Sequence, residues 1–278
     1  MARPLMSALR SWALSHLEQP APIARQPHAT KLGVLGIMKN EAMNLDEWVE
    51  HYLWMGAGKI YLIDNGSTDD TVAKARAWAA KGRVELVEYP ERHQQVPHYR
   101  RAFRHFDIAR QCEWLLIADL DEFWFCPAGD RLTDALTEFG AYDVIYSNWV
   151  MFGSGGLIDH PPSVLTDFTL RRPGVAGHEE TKFICRSRLL ENPEVLGIHK
   201  VWGGDSSRTE SHTRRFPLNH YPIQSEDFFR KVKMTRGAAD SERYETIRDM
   251  DYFRRYDAGC DQEDRQLADL VALLAPAP

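Results

Sequence analysis

The chain has 278 residues, 44% hydrophobic and 27% charged, with a formal net charge of −6. That balance suits one large domain, or one domain with appendages, and the negative charge excludes a global basic field for DNA or RNA. No apolar run reaches the roughly 20 residues needed to cross a bilayer, and the four cysteines (Cys112, Cys126, Cys185 and Cys260) lack CxxC spacing, which argues against a zinc knuckle or disulfide framework and for a reducing compartment, the cytoplasm.

The first 20 residues lack the long apolar stretch and small-residue cleavage site of a signal peptide. Leu5, Leu9, Trp12, Ala13 and Leu17 recur at helical spacing beside Arg3 and Arg10. A helix docked on its own domain is the favoured reading, with peripheral membrane contact through residues 1–20 as the alternative. "PAPIARQPH" then reads as a linker, so residues 1–30 form an N-terminal segment.

"LGVLGIM" at 32–38 predicts a first buried strand, and polar "KNE" follows. Leu45, Trp48, Val49, Tyr52 and Leu53 predict a helix, with Asn44 and Glu47 as a capping box and Gly56 and Gly58 closing it. "KIYLI" is a second strand and "DNGSTDD" a turn, with Ser67 as N-cap of a helix running to Ala80. "RVELVEY" is a third strand, residues 98–111 a third helix, and 113–118 a fourth strand. Strands this apolar, alternating with helices, predict an α/β fold: a mainly parallel, Rossmann-like sheet with helices on both faces. Beyond residue 140 come strands in "YDVIYSNWVM" and "ETKFICRS", a loop-dominated 153–222 region, and a helix capped by Ser225.

Ligands of such sheets bind beyond the carboxyl ends of the strands. The polar clusters converge there: Lys39, Asn40 and Glu41 after the first strand, Asp64 and Asn65 after the second, and Asp119, Asp121 and Glu122 after the fourth. Two carboxylates about 4 Å apart repel by roughly 4 kcal/mol at a partly exposed site, so the "DLDE" cluster needs compensation. A divalent cation, Mn2+ or Mg2+, held by Asp121 and Asp119 would supply it and join these acids to an anionic diphosphate. Ordinary solvated turns are the bland reading of both "DLDE" and "DNGS".

"MKNEAMNLDEWVEHYLWMGAGKIYLIDNGSTDDT" followed by "WLLIADLDEFWF" resembles the nucleotide-sugar half of GT-A-fold glycosyltransferases. It is similar to family 2, with "IDNGS" in place of Asp-Asp-Gly-Ser, and more closely to family 92. "NWVMFGSGG", "TKFICRS", "GIHKVW" and "LNHYPIQSEDFFRKV" continue that resemblance over residues 32–238. It implies a GT-A domain at 31–240, with a nucleotide-sugar half at 31–126 and an acceptor half at 127–240, and a helical extension at 241–278. It also implies inverting transfer from a nucleoside diphosphate sugar, a UDP-sugar first, to a glycan or glycolipid acceptor. Asp64 and Asn65 would then hold the nucleoside, Asn40 and Glu41 would line the base and ribose pocket, Asp119 would lie near ribose and metal, and Asp121 would be the principal metal ligand.

The transfer needs a base for the acceptor hydroxyl. Glu179 and Glu180 are the first candidates, before Asp159 and Asp205. Related folds add a histidine ligand to the metal; His199 and His220 both fit that order, the latter favoured by its short loop to the Ser225 helix. Lys182, Arg186, Arg188, His212, Arg214, Arg215 and Lys231 supply cations that can face the diphosphate, most of them ordinary surface charge. "FGSGG" lets backbone approach donor or acceptor, and Trp124, Trp149 and Trp202 are candidate sugar platforms. The rivals are an inactive nucleotide-sugar-binding scaffold of the same fold and a haloacid dehalogenase-type phosphatase, which also places Asp-X-Asp after a buried strand.

Overall fold

The computed structural model describes residues 28–177, 180–237 and 248–274. The N-terminal amphipathic segment and Glu179 lie outside them. The chain begins with β1 (Thr30–Met38), α1 (Leu45–Trp54), β2 (Lys59–Asp64), α2 (Thr71–Ala80), β3 (Val84–Glu88), α3 (Gln95–His105) and β4 (Cys112–Ile117); helices of eight or more residues are numbered. These four strands run parallel in the order β3-β2-β1-β4.

Alternation along each strand feeds two cores. Leu32, Val34, Ile60, Leu62, Trp114 and Leu116 face one side and pack with Trp48, Val49 and Tyr52 of α1 and Ala75 of α2. Leu35, Ile37, Tyr61, Ile63, Leu115 and Ile117 face the other, with Tyr99, Ala102 and Phe103 of α3. The expected helices on both faces are therefore present, because β1, β2 and β4 are apolar at nearly every position and bury both of their sides.

The sheet continues through β5 (Glu122–Trp124), β6 (Val144–Met151), β8 (Thr181–Arg186), β9 (Thr209–Ser211) and β10 (Leu218–His220). β8 is inserted antiparallel between β4 and β6. β10 pairs parallel with β6 and antiparallel with β5. A separate two-stranded ribbon joins β7 (Leu170–Arg171) to β11 (Gln262–Glu263). The C-terminal helices α4 (Met250–Asp257) and α5 (Gln266–Leu274) pack back on the domain, Phe253 against Phe229 and Leu267 into the larger core. Among the described residues no helix is long and apolar enough to cross a membrane. All four cysteines are free thiols.

Three local expectations need correction. The capping box at α1 does not form. Asn44 Nδ2 donates to Glu41 and Gln224, while Glu47 accepts from Ser163 Oγ and from the backbone of Val164 and Leu165. Ser67 does not cap α2, which starts after Asp70; its hydroxyl accepts from the Asn40 amide. The helix expected over 98–111 is α3 plus a separate turn at 108–111, divided where Asp107 adopts a left-handed φ of 50°. The Ser225 cap is present, accepting from the Phe228 amide, and the turn after it widens into a π-helix at Phe229–Lys233.

Candidate active site

A cleft of about 430 Å³ opens at the carboxyl edge of the parallel strands, within the usual size of a small-molecule site. Its lining draws on every part of the chain: Glu41 after β1, Asn65 after β2, Asp119 and Asp121 after β4, Glu180, His199, His220, and Lys233 and Arg236 near the π-helix.

The acidic cluster is compensated within the chain. Asp119 Oδ2 accepts from Lys182 Nζ at 2.8 Å, and its Oδ1 accepts from Tyr99 Oη at 3.1 Å and Gln95 Nε2 at 3.3 Å. Lys182 is fully buried and also lies 3.6 Å from Glu122. It sits beneath the carboxylates, so the expectation that it faces a diphosphate is corrected: it is the counter-ion of Asp119. Burial opposes the charge of both groups, but each raises the stability of the other's ionised form. The Asp119 carboxyl is held below its ordinary range and the Lys182 ammonium above its own.

Glu122 is the innermost acid. Oε2 accepts from the Asp119 amide at 2.9 Å and Oε1 from the Trp149 indole at 2.8 Å. Burial pushes its carboxyl up to about 8, with Lys182 opposing and Asp119 and Asp121 adding to the shift. Glu122 thus ties the "DLDE" turn to Trp149, whose ring lies 4.3 Å from that of His220.

Asp121 is positioned by strand pairing. The β5–β10 register sets His220 opposite Glu122, and the Tyr221 amide donates to the Asp121 carbonyl at 2.8 Å. His220 Nε2 consequently lies 3.6 Å from Asp121 Oδ1, and its buried Nδ1 has no hydrogen-bond partner among the described residues. The other Asp121 oxygen accepts from the buried Lys233 ammonium. Burial opposes its ionisation, yet Lys233 and His220 hold the Asp121 carboxyl well below its usual range. The pair is uneven, since burial and the adjacent Arg236 push the Lys233 amine down. Arg236 itself is held by Glu41 and by the Lys39 carbonyl.

Asp121 and His220 would offer a divalent cation one hard carboxylate oxygen and one imidazole nitrogen, and among the described residues no group of three or more His, Cys, Asp or Glu is placed to hold a metal ion. His199 also lines the cleft; its Nδ1–H donates to the Thr181 carbonyl at 2.9 Å, which leaves the lone pair on Nε2, and burial together with Lys182 lowers its pKa toward the neutral ring. Asp119 has both oxygens engaged.

The nucleoside candidates divide. Asp64 Oδ2 accepts from the Gly66 and Ser67 amides, and its buried Oδ1 has no partner among the described residues. Asn65 lines the cleft and donates to the Tyr89 and Glu91 carbonyls. Asn40, at a left-handed φ of 53°, spends its side-chain oxygen on the Thr68 amide at 2.7 Å, stapling the two loops together. Glu41 lines the cleft with Arg236 as its partner.

Elsewhere four of the expected cations are in ion pairs with acids outside the cleft. Arg186 pairs with Glu113, Arg188 with Asp143, Arg215 with Asp130, and Lys231 with Asp227. The "FGSGG" backbone approaches its own C-terminal region: a Cβ on Gly153 would lie 2.5 Å from that of Cys260, and Ser154 donates twice to Asp257. Trp124 is enclosed in the core and Trp202 stands 53% exposed. Asp205 caps its own turn.

The residues that sequence reasoning missed are Lys233, Arg236, Arg248, Tyr252 and Tyr256, all lining the cleft. For Lys233 a signal was present. Phe229, Val232 and Lys233 stand at i, i+3 and i+4, one helical face, so two apolar residues carry the lysine inward.

The description of glycosyltransferase family 92 matches residues 36–255. The chain belongs to that family. Family 92 relatives include a protein of Arabidopsis thaliana, 25% identical over 228 residues, covering 75% of this chain and 38% of its own. Another, from Oryza sativa subsp. japonica, is 27% identical over 214 residues, covering 70% and 35%. The chain thus spans under two fifths of the length of these family 92 relatives. Among solved structures it is similar to Staphylococcus aureus TarS in complex with UDP, at 16% identity and a TM-score of 0.45, covering 82% of this chain and 72% of that one. It is also similar to GalNAc-T7 with UDP, GalNAc and Mn2+, at 13% identity and a TM-score of 0.42, covering 82% and 50%.

Proposed function

We propose that this family 92 chain is an inverting glycosyltransferase of GT-A type that moves a sugar from a nucleoside diphosphate sugar, a UDP-sugar first, to a hydroxyl of a glycan or glycolipid. The observation that carries the reading is the meeting of Asp121 Oδ1 and His220 Nε2, 3.6 Å apart, in the cleft at the strand ends. Those two residues would hold a Mn2+ or Mg2+ ion. Bound there, the ion would stabilise the negative charge of the departing diphosphate.

The chain's own groups supply the rest. The buried Asp64 Oδ1, without a partner among the described residues, supports a hydrogen bond from the nucleoside, and Asn65, next to it in sequence, lines the cleft. Arg236 and Arg248 add positive charge around the diphosphate. The Glu180 carboxylate, at the cleft margin, is the base that takes the acceptor hydroxyl's proton; Glu179 is its neighbour in sequence. As the acceptor oxygen bonds to the anomeric carbon, the bond to the diphosphate breaks on the opposite side and the configuration inverts.

A panel of nucleotide sugars tested by thermal shift and by donor turnover, with and without Mn2+, examines this reading. A ligand that binds only the native state stabilises it by about 2.7 kcal/mol at one hundred times its dissociation constant. One donor should stabilise the protein only with metal and be slowly hydrolysed. His220→Ala should remove the metal effect and His199→Ala should retain it. A panel in which no nucleotide sugar stabilises the protein would overturn the proposal, while stabilisation without any turnover would favour the scaffold.

A further inference from the structure

Three of the four cleft carboxylates carry an internal cation: Asp119 with Lys182, Glu41 with Arg236, and Asp121 with Lys233. The three pairs differ in how firmly the cation is held. Lys182 lies between Asp119 and Glu122 on the central strand β8, beneath the floor. Arg236 is tied to both a carboxylate and a backbone carbonyl. Lys233 reaches a single carboxylate oxygen, lines the cleft, and projects from a π-helical turn beside the like charge of Arg236. Its amine stands where a cation bound by Asp121 has to compete for the carboxylate.

Resting on the metal reading above, we propose that Lys233 is a displaceable internal counter-ion. It holds Asp121 in the nucleotide-free protein and transfers to the donor's diphosphate when metal and nucleotide enter together, so that neither binds well alone. Charge balance gives the reason. With Lys233 on Asp121 the cleft pairs are neutral, so a divalent ion entering alone adds uncompensated positive charge and must evict the ammonium. A nucleotide sugar entering alone adds two singly charged phosphates. Together, the ion and the two phosphates cancel, and the freed ammonium gains phosphate oxygens as acceptors. A lysine suits the exchange: a compact charge with three donors on a flexible four-carbon stem. Arginine, with a planar fork, would fit the two positions less equally.

The test measures Mn2+ affinity by paramagnetic resonance on the full chain, with and without UDP, in the wild type and in Lys233→Met and Lys233→Gln. In the wild type, UDP should tighten Mn2+ binding at least tenfold. Each variant should bind Mn2+ alone about tenfold more tightly than the wild type, with a correspondingly smaller gain from UDP. If a folded variant binds Mn2+ alone no better than the wild type, Lys233 is not the competitor and the proposal fails, although the metal reading stands. If the wild type binds Mn2+ equally with and without UDP, the proposal fails whatever the variants do. If no protein binds Mn2+ under any condition, the metal reading fails first and this inference with it.

Discussion

Two lysine–aspartate pairs stand two residues apart on the "DLDE" turn, and they do different work. Lys182 lies fully buried on β8, with Asp119 at 2.8 Å and Glu122 at 3.6 Å. Asp119 also takes bonds from Tyr99 and Gln95, so both of its oxygens are engaged although it lines the cleft. Lys233 and Asp121 face the cleft, with His220 at one side and Arg236 at the other. The first pair makes it possible for a core strand to end in three acids. The second holds Asp121 at the cleft lining beside His220, with one ammonium on one of its oxygens. On the proposed exchange, this strand-end motif has two kinds of cation, one fixed between Asp119 and Glu122 and one that leaves Asp121 when ligand enters.

The largest expected effect breaks the fixed pair. Lys182→Met leaves Asp119 and Glu122 without their ammonium and should cost about 3 kcal/mol in denaturant unfolding, the lower range for a broken buried pair because Asp119 is 30% exposed. Lys233→Met should cost less, since it leaves one carboxylate without its ammonium where Lys182→Met leaves two. Equal losses, or a larger loss for Lys233, would erase the distinction between the two sites.

A smaller effect sharpens it from the far side of the sheet. Asp143 pairs with Arg188 and Arg208, whose side chains are 47% and 38% exposed, so this pair has no ligand role to confuse the reading. The bonds from Arg208, with Arg188 adding to them against the opposing effect of burial, lower the Asp143 carboxyl from 3.8 to about 2. A depressed carboxyl stabilises the fold fully above its unfolded value and loses that contribution as pH falls through its folded value. Asp143→Asn should therefore lower the melting temperature by about 3 °C at neutral pH. The gap should close between about pH 4 and pH 2. A gap independent of pH would mean that packing, and not charge, is what the substitution removes.

How much of this was legible in the sequence follows from the range of the interactions. The parallel sheet was readable because β1, β2 and β4 are apolar at nearly every step, and α1 and α3 show their buried faces at helical spacing. Asp64, Asp119 and Asp121 were readable as strand-end polar groups. His220 could be favoured over His199 only by loop length; the β5–β10 register then set it beside Asp121. The counter-ions were not readable as such. Lys182 is 63 residues from Asp119 and Lys233 is 112 from Asp121, so no local pattern joins them. The failed capping box has the same origin: Glu47 finds its donors near residue 164, beyond the reach of a local rule.

The most direct measurement is an anomalous difference map from crystals soaked with MnCl2 and UDP. The expected result is one manganese peak bonded to Asp121 and His220, with the Lys233 ammonium moved from Asp121 to the diphosphate. A peak bonded to Asp119 and His199, or one held by the nucleotide alone while Lys233 stays on Asp121, would contradict the division of labour between the two pairs.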